Sequence, residues 1–188
     1  MSELKSPIQN LRGVAIWLTG LPCSGKSTIA DALTKRLQEN EFKEKGFRVQ
    51  RLDGDVIRSN LWKELGYTKE DRDENIRRVI FITGLLTKSG ITTIAAFISP
   101  YREMRDQARK SIGDFIEVYI KCPVEVCKQR DTKGLYRKAI AGEISNFTGV
   151  SDPYEEPLEP DVIIESDKEA VEEGVTKVII KLKILGYI

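Results

Sequence analysis

A short apolar run, Val14 to Thr19 (VAIWLT), leads without a break into Gly20-Leu21-Pro22-Cys23-Ser24-Gly25-Lys26-Ser27. Ile29, Leu33 and Leu37 then fall at helical spacing. A strand apolar on both faces, a glycine-bearing turn and an amphipathic helix, in that order, constrain the fold more than any other feature. The turn fits GxxxxGK[ST], and its setting between strand and helix is the context that motif requires. Glycine lets the backbone wrap a polyphosphate with its N–H groups turned inward, and the helix adds the partial positive charge of its N-terminus. Lys26 is placed to reach the outer phosphates and the Ser27 hydroxyl to ligate Mg²⁺. Residues Gly20 to Thr28 are therefore expected to bind the phosphates of a nucleotide, with Cys23 either a redox-sensitive thiol or, as the simpler alternative, a small residue at a tolerant position.

Further apolar runs follow at Phe47–Leu52, Ile91–Ile98, Phe115–Lys121 and Asp161–Glu165, separated by helical stretches. Val56–Leu65 reads as one helix, and Thr68 opens a long one with a capping-box-like TKED, ending near Ser89-Gly90. Helices are also expected over Tyr101–Ser111, from Pro123, and over Lys168–Leu185. Strands alternating with helices imply parallel βαβ units, hence a three-layer α/β sandwich around a mostly parallel sheet. Residues 1–12 read as a loose arm and 13–188 as one domain. Residues 131–160, polar and broken by Gly134, Gly142, Gly149 and the prolines of DPYEEPLEP, read as a lid.

Composition removes several chemistries. Histidine is absent, so Ser-His-Asp sites, Cys-His pairs and His-ligated metals are excluded. The three cysteines show no CxxC spacing, against a disulfide scaffold or a zinc site. A net charge of +1 disfavours nucleic acid or a membrane surface as the main partner. No segment resembles a signal or membrane span, so a cytoplasmic location is expected.

A phosphate loop alone does not separate a switch, a motor and a kinase. Nothing resembles the NKxD motif of guanine readers, and the third apolar run ends in Phe97-Ile98-Ser99 rather than an acid. The nearest carboxylates are Asp53 and Asp55, at the carboxyl end of the second strand, where open α/β sheets collect ligands. They read as a site for Mg²⁺ and proton transfer, or as a turn and helix cap. Arg58 and Arg72 are of the type suited to bidentate contact with phosphate or sulfate oxygens, with Asn75 on the same helix face as Arg72; a solvated helix face is the alternative. Arg77 and Arg78 read as a solvated face paired with neighbouring acids.

Taken in order, GLPCSGKS, LDGDxxR, EDRDENIRR, FISPYR, KGLYRKAxAGEIxxFTG and DPYEEP closely resemble the adenylylsulfate kinase family, over roughly residues 13 to 185. The resemblance implies phosphoryl transfer from MgATP to the 3′-hydroxyl of adenosine 5′-phosphosulfate, by a P-loop kinase working as a homodimer. It implies Asp53 beside Mg²⁺ and that hydroxyl, with Asp55, Arg58, Arg72, Asn75, Ile98 and Ser99 at the acceptor. It places Phe147, with Tyr67 nearby, against the acceptor adenine, Lys133 on the lid, and Arg130 and Arg137 on the ATP side. Ser99 aligns with a serine described as a phosphoserine intermediate, although direct in-line transfer is the simpler path here. Cys23 stands where small residues are usual, Ile140 where the lid commonly has Arg, and Tyr67 where Phe is common. Other P-loop kinases, for nucleoside monophosphates or gluconate, and a nucleotide-dependent regulatory module are the competing readings.

Overall fold

The structure is a computed structural model that describes residues 12–44 and 46–188. The expected arm lies outside the described residues except for Arg12, which pairs with Asp114. Among the described residues, five strands form one sheet: β1 (Ala15–Thr19), β2 (Val49–Asp53), β3 (Thr92–Ala96), β4 (Phe115–Lys121) and β5 (Val162–Glu165). Their order is β2-β3-β1-β4-β5, and every pairing is parallel. The connecting helices are α1 (Lys26–Leu37), α2 (Asn40–Lys43), α3 (Gly54–Leu61), α4 (Lys69–Lys88), α5 (Arg102–Ile112), α6 (Val124–Gln129), α7 (Leu135–Ile140) and α8 (Val171–Ile184).

The central strand shows why the apolar run had to be continuous. Side chains alternate across a strand, so Val14, Ile16 and Leu18 face one layer and Ala15 and Trp17 the other. The first set meets Ile29, Leu33 and Leu37 of α1 and Val178 and Leu182 of α8. The second meets Ile76, Val79 and Ile80 of α4 and Met104, Ala108 and Ile112 of α5, with Trp17 stacked on Phe97 at 5.8 Å. Each fully buried Leu or Ile contributes about 1.5–3 kcal/mol relative to exposure, so these two layers carry the fold.

Several boundaries differ from the sequence expectation. The third strand ends at Ala96 rather than Ile98, because Ser99 takes a φ of 39°, outside the extended range. Helix α3 starts two residues before the expected Val56, because the Asp53 side chain accepts from the amides of Asp55 and Val56 and caps it there. The segment 131–160 is not all loop: α7 lies inside it, held at its start by the Asp131 carboxylate, which accepts from Leu135 N at 2.8 Å. The capping box at Thr68 and Asp71 forms as its spacing indicated.

Candidate active site

All five strands run the same way, so their carboxyl ends open on one rim, where ligands of open α/β sheets gather. That rim receives the phosphate loop from β1, Asp53 from β2, Ile98 and Ser99 from β3, Cys122 from β4 and Ser166 from β5.

The loop needs glycine at both ends. Gly20 has a φ of 152°, and a Cβ there would lie 2.5 Å from the Ile120 carbonyl oxygen. Gly25 caps α1 at a φ of 100°. Between them Leu21, Pro22, Cys23 and Ser24 carry the chain round, and Ser27 and Thr28 stand exposed in the first turn of α1. Lys26 folds back under the loop, and its Nζ donates to the carbonyls of Gly20 at 3.0 Å and Leu21 at 2.6 Å. Loss of water there lowers its pKa to about 8, although Asp53 and Asp55 favour the charge.

Cys23 adopts a φ of 60°, and burial raises its thiol pKa, outweighing the nearby Lys26 and Lys133. That direction runs against the lowered pKa the redox-sensitive alternative allowed for and favours the small-residue reading. Cys23, Leu21 and Phe147 pack with Cys122, Cys127 and Tyr136 in a third apolar cluster under the loop.

Asp53 does the work of a helix cap and more. Its Oδ2 also accepts from Arg51 at 2.8 Å. Asp55, exposed in the first turn of α3, pairs with Lys133 at 2.6 Å, which joins the segment before α7 to α3. The same carboxylate raises the Lys133 pKa.

Arg72 bridges two turns of the chain. Its Nε donates to the Tyr67 carbonyl at 3.0 Å, while its other nitrogens reach Thr148 Oγ1 and the Asn146 carbonyl. It also pairs with Asp152 at 3.3 Å. One guanidinium thus ties the turn bearing Tyr67 to the turn bearing Phe147. Phe147 is half-buried, edge-on to Tyr136 with centroids 5.0 Å apart. Tyr67 is exposed beneath the Arg58 guanidinium, 4.4 Å from its ring centre. Asn75 is buried, with an Oδ1 that has no partner. Arg77 pairs with Glu74, and Arg78 with Glu74 and Glu64, along an outer face of α4.

The Ser99 hydroxyl has both a donor and an acceptor partner. Trp17 Nε1 donates to it at 3.0 Å, and it donates to Thr19 Oγ1 at 3.2 Å. Thr19 in turn donates to the Ile98 carbonyl at 2.7 Å and lies 2.9 Å from the Tyr154 hydroxyl. Burial pushes Tyr154 up to about 12, so it stays neutral as the remaining donor of this chain.

Arg130 donates to the Ser166 carbonyl at 2.8 Å, and the Ser166 hydroxyl donates to the Ser24 carbonyl at 2.6 Å. Arg130 is thereby linked to the phosphate loop. Arg137 is exposed and folds back over Gly134. Four contributors escaped the sequence reading: Arg51, Ser166, Asp152 and Arg105. Arg105 is buried and donates to Glu117 at 2.8 Å and to the carbonyls of Ser99 and Glu155, both at 2.6 Å. A basic residue on an amphipathic helix gives no signal of burial, so only the partner's distant position reveals it.

Mg²⁺ keeps several waters and takes one or two protein ligands besides phosphate oxygens. Ser27, exposed in the first turn of α1, and Asp53 on the same rim fit that habit.

A phosphate loop at the carboxyl rim of a five-stranded parallel sheet is the architecture of the P-loop kinases, the class that the comparisons with known proteins define. Residues 12–165 match the family described as adenylylsulphate kinase. An adenylyl-sulfate kinase from Halothermothrix orenii is 56% identical over 181 residues, spanning 96% of this chain and 95% of the relative. One from Gloeothece citriformis is 53% identical over 177 residues, spanning 94% of this chain and 98% of its own length. The structure of the Mycobacterium tuberculosis APS kinase in complex with AMPPNP and APS shares a TM-score of 0.84 at 40% identity, covering 92% of this chain and 98% of that one. A gluconokinase from Sinorhizobium meliloti, 17% identical with a TM-score of 0.56, is alike in fold alone. The chain belongs to the adenylylsulphate kinase family.

Proposed function

We propose that the protein transfers the γ-phosphoryl group of MgATP to the 3′-hydroxyl of adenosine 5′-phosphosulfate, giving 3′-phosphoadenylyl sulfate and ADP. The observation that carries this reading is geometric: Asp53 and Asp55 stand at the carboxyl end of β2, on the rim that also holds the phosphate loop, and Asp55 pairs with Lys133 at 2.6 Å. A carboxylate on the same rim as the loop that grips the donor is what proton removal from an attacking hydroxyl calls for. The relative bound to AMPPNP and APS supports the same two ligands.

Lys26 and the loop amides of residues 20–28 grip the polyphosphate, with Arg130 and Arg137 on that side. Ser27 would hold the Mg²⁺ that accompanies ATP, with the Asp53 carboxylate beside it, and the ion would supply neutralisation of phosphate charge. Asp53 accepts the hydroxyl proton as the new O–P bond forms and the bond from the γ-phosphorus to ADP breaks. Arg58, Arg72 and Lys133 face the phosphate and sulfate of the acceptor, with Asp55, Asn75 and Ile98 completing its wall. Phe147 and Tyr67 flank its adenine. Ser99 shapes the end of β3 through its backbone, because its hydroxyl proton is already given to Thr19.

Residues 13–188 act as one kinase domain, with 131–160 its lid, in a cytoplasmic homodimer. No described helix is long and apolar enough to cross a membrane, which agrees with that location. ADP release coupled to a reporter enzyme tests the assignment across acceptors. Adenosine 5′-phosphosulfate is expected to stimulate it strongly; stimulation only by gluconate or a nucleoside monophosphate defeats the reading.

A further inference from the structure

Strand β2 lies at the edge of the sheet, and residues two apart on it share a face. Arg51 and Asp53 are such a pair, on the side where α1 supplies Asp31. The Arg51 guanidinium spans two carboxylates, at 2.6 Å from Asp31 Oδ1 and 2.8 Å from Asp53 Oδ2. Its Nε is buried without an acceptor, so these two carboxylates alone hold the head group. Asp53 Oδ1 is already shared by the amides of Asp55 and Val56 at 3.0 and 3.2 Å. A carboxylate offers about four lone-pair positions, and three here are taken, which leaves one on Oδ2.

We propose that Arg51 is a positioning residue: anchored on Asp31 of the phosphate-loop helix, it fixes the Asp53 carboxylate so that its one open lone pair meets the acceptor hydroxyl. The inference rests on the proposed role of Asp53. It gives α1 a second task, since the helix that carries Lys26 and Ser27 also sets the carboxylate facing them. Donor grip and proton acceptor are then registered to one rigid element. Without Arg51 the cap still holds Oδ1, but Oδ2 is free to turn, and misplacement on that scale lowers turnover sharply.

The test is a double-mutant cycle in steady-state kinetics with both substrates. Arg51→Gln is expected to lower kcat by roughly tenfold while each KM stays within about threefold. In an Asp53→Asn background the same change is expected to have almost no further effect, because Arg51 acts through Asp53. Arg51→Lys, which keeps the charge and reaches one carboxylate, recovers part of kcat. Asp31→Asn removes the anchor at an exposed position and keeps the test open if Arg51→Gln does not fold; it is expected to lower kcat about threefold, and again not in the Asp53→Asn background. Unchanged kcat in both Arg51→Gln and Asp31→Asn, or equal fractional losses with and without Asp53, overturns the proposal while leaving the role of Asp53 standing. Full activity of Asp53→Asn itself overturns that role, and the positioning claim falls with it.

Discussion

The Lys26 ammonium lies 2.6 Å from the carbonyl oxygen of Leu21, five residues back in its own loop. In this state the lysine caps the loop from inside, desolvated and with a pKa lowered from 10.5 to about 8. A polyphosphate favours the charged form, so nucleotide binding raises that pKa. Above pH 8 the free protein has lost the proton that the complex holds, and binding must take one up. ATP affinity is therefore expected to be flat below that point and to weaken toward tenfold per pH unit above it, roughly as a single-proton linkage. Calorimetric titration in buffers of differing ionisation enthalpy reads the uptake directly. Lys26→Met abolishes it; a persisting uptake in that variant assigns it to another group.

Phe147→Ala is expected to raise the KM for adenosine 5′-phosphosulfate by about tenfold and that for ATP by less than about threefold, in line with loss of one aromatic stacking partner. The ring leans on Tyr136 at one edge and belongs to the turn that Arg72 ties to Tyr67. Equal losses for the two substrates count against its placement at the acceptor base.

Arg105 satisfies Glu117, Ser99 and Glu155 from a fully covered position. Removing one member of such a buried pair leaves a charge without compensation, at roughly 3–5 kcal/mol. Arg105→Ala is thus expected to lower Tm by about 10 °C in a chain of this size. Burial already raises the Glu117 pKa against the pull of Arg105 and Arg109. A carboxyl whose folded pKa is raised holds its proton better when folded, so its contribution falls as pH rises through that pKa. The variant defect should be smaller at acidic pH, where Glu117 takes up its proton, than at neutral pH. Differential scanning fluorimetry at both values checks this; a pH-independent defect contradicts it.

Cys23 holds a left-handed backbone that favours glycine, and burial raises its thiol pKa. Cys23→Gly is expected to keep kcat within about twofold and to leave Tm unchanged or slightly higher, since relief of αL strain is worth about 1 kcal/mol. Alkylation of the native protein by iodoacetamide at pH 7.5 is expected to run more slowly than that of free cysteine, at least about threefold. Faster alkylation is the opposite outcome.

The elements that could be read in advance were those with strong local signals. The continuous run of β1, the glycine turn, and the Thr68–Asp71 box all carry their structure in a few neighbouring residues. The strand-end position of Asp53 and Asp55 followed from chain order alone. What stayed hidden depends on partners far along the chain. Arg51 finds Asp31, twenty positions away, only once α1 has packed on β2. Arg72 meets Asp152, and Ser166 meets Ser24, only after the sheet has closed. Helix α7 was missed because glycine and polar residues around it masked a single short turn of apolar spacing at Tyr136 and Ala139. The Asp53 cap uses Oδ1, so the chemistry proposed for the residue falls to Oδ2.

The central claim is that the γ-phosphoryl group passes to the ribose 3′-oxygen of the sulfated nucleotide. Incubation with γ-³²P-labelled ATP and adenosine 5′-phosphosulfate, followed by treatment with a nuclease that removes only 3′-phosphates, tests it most directly. The account predicts one labelled nucleotide product, formed in step with ADP, whose label is released in full by that nuclease. Label retained after treatment, or ADP formed with no labelled nucleotide, contradicts it.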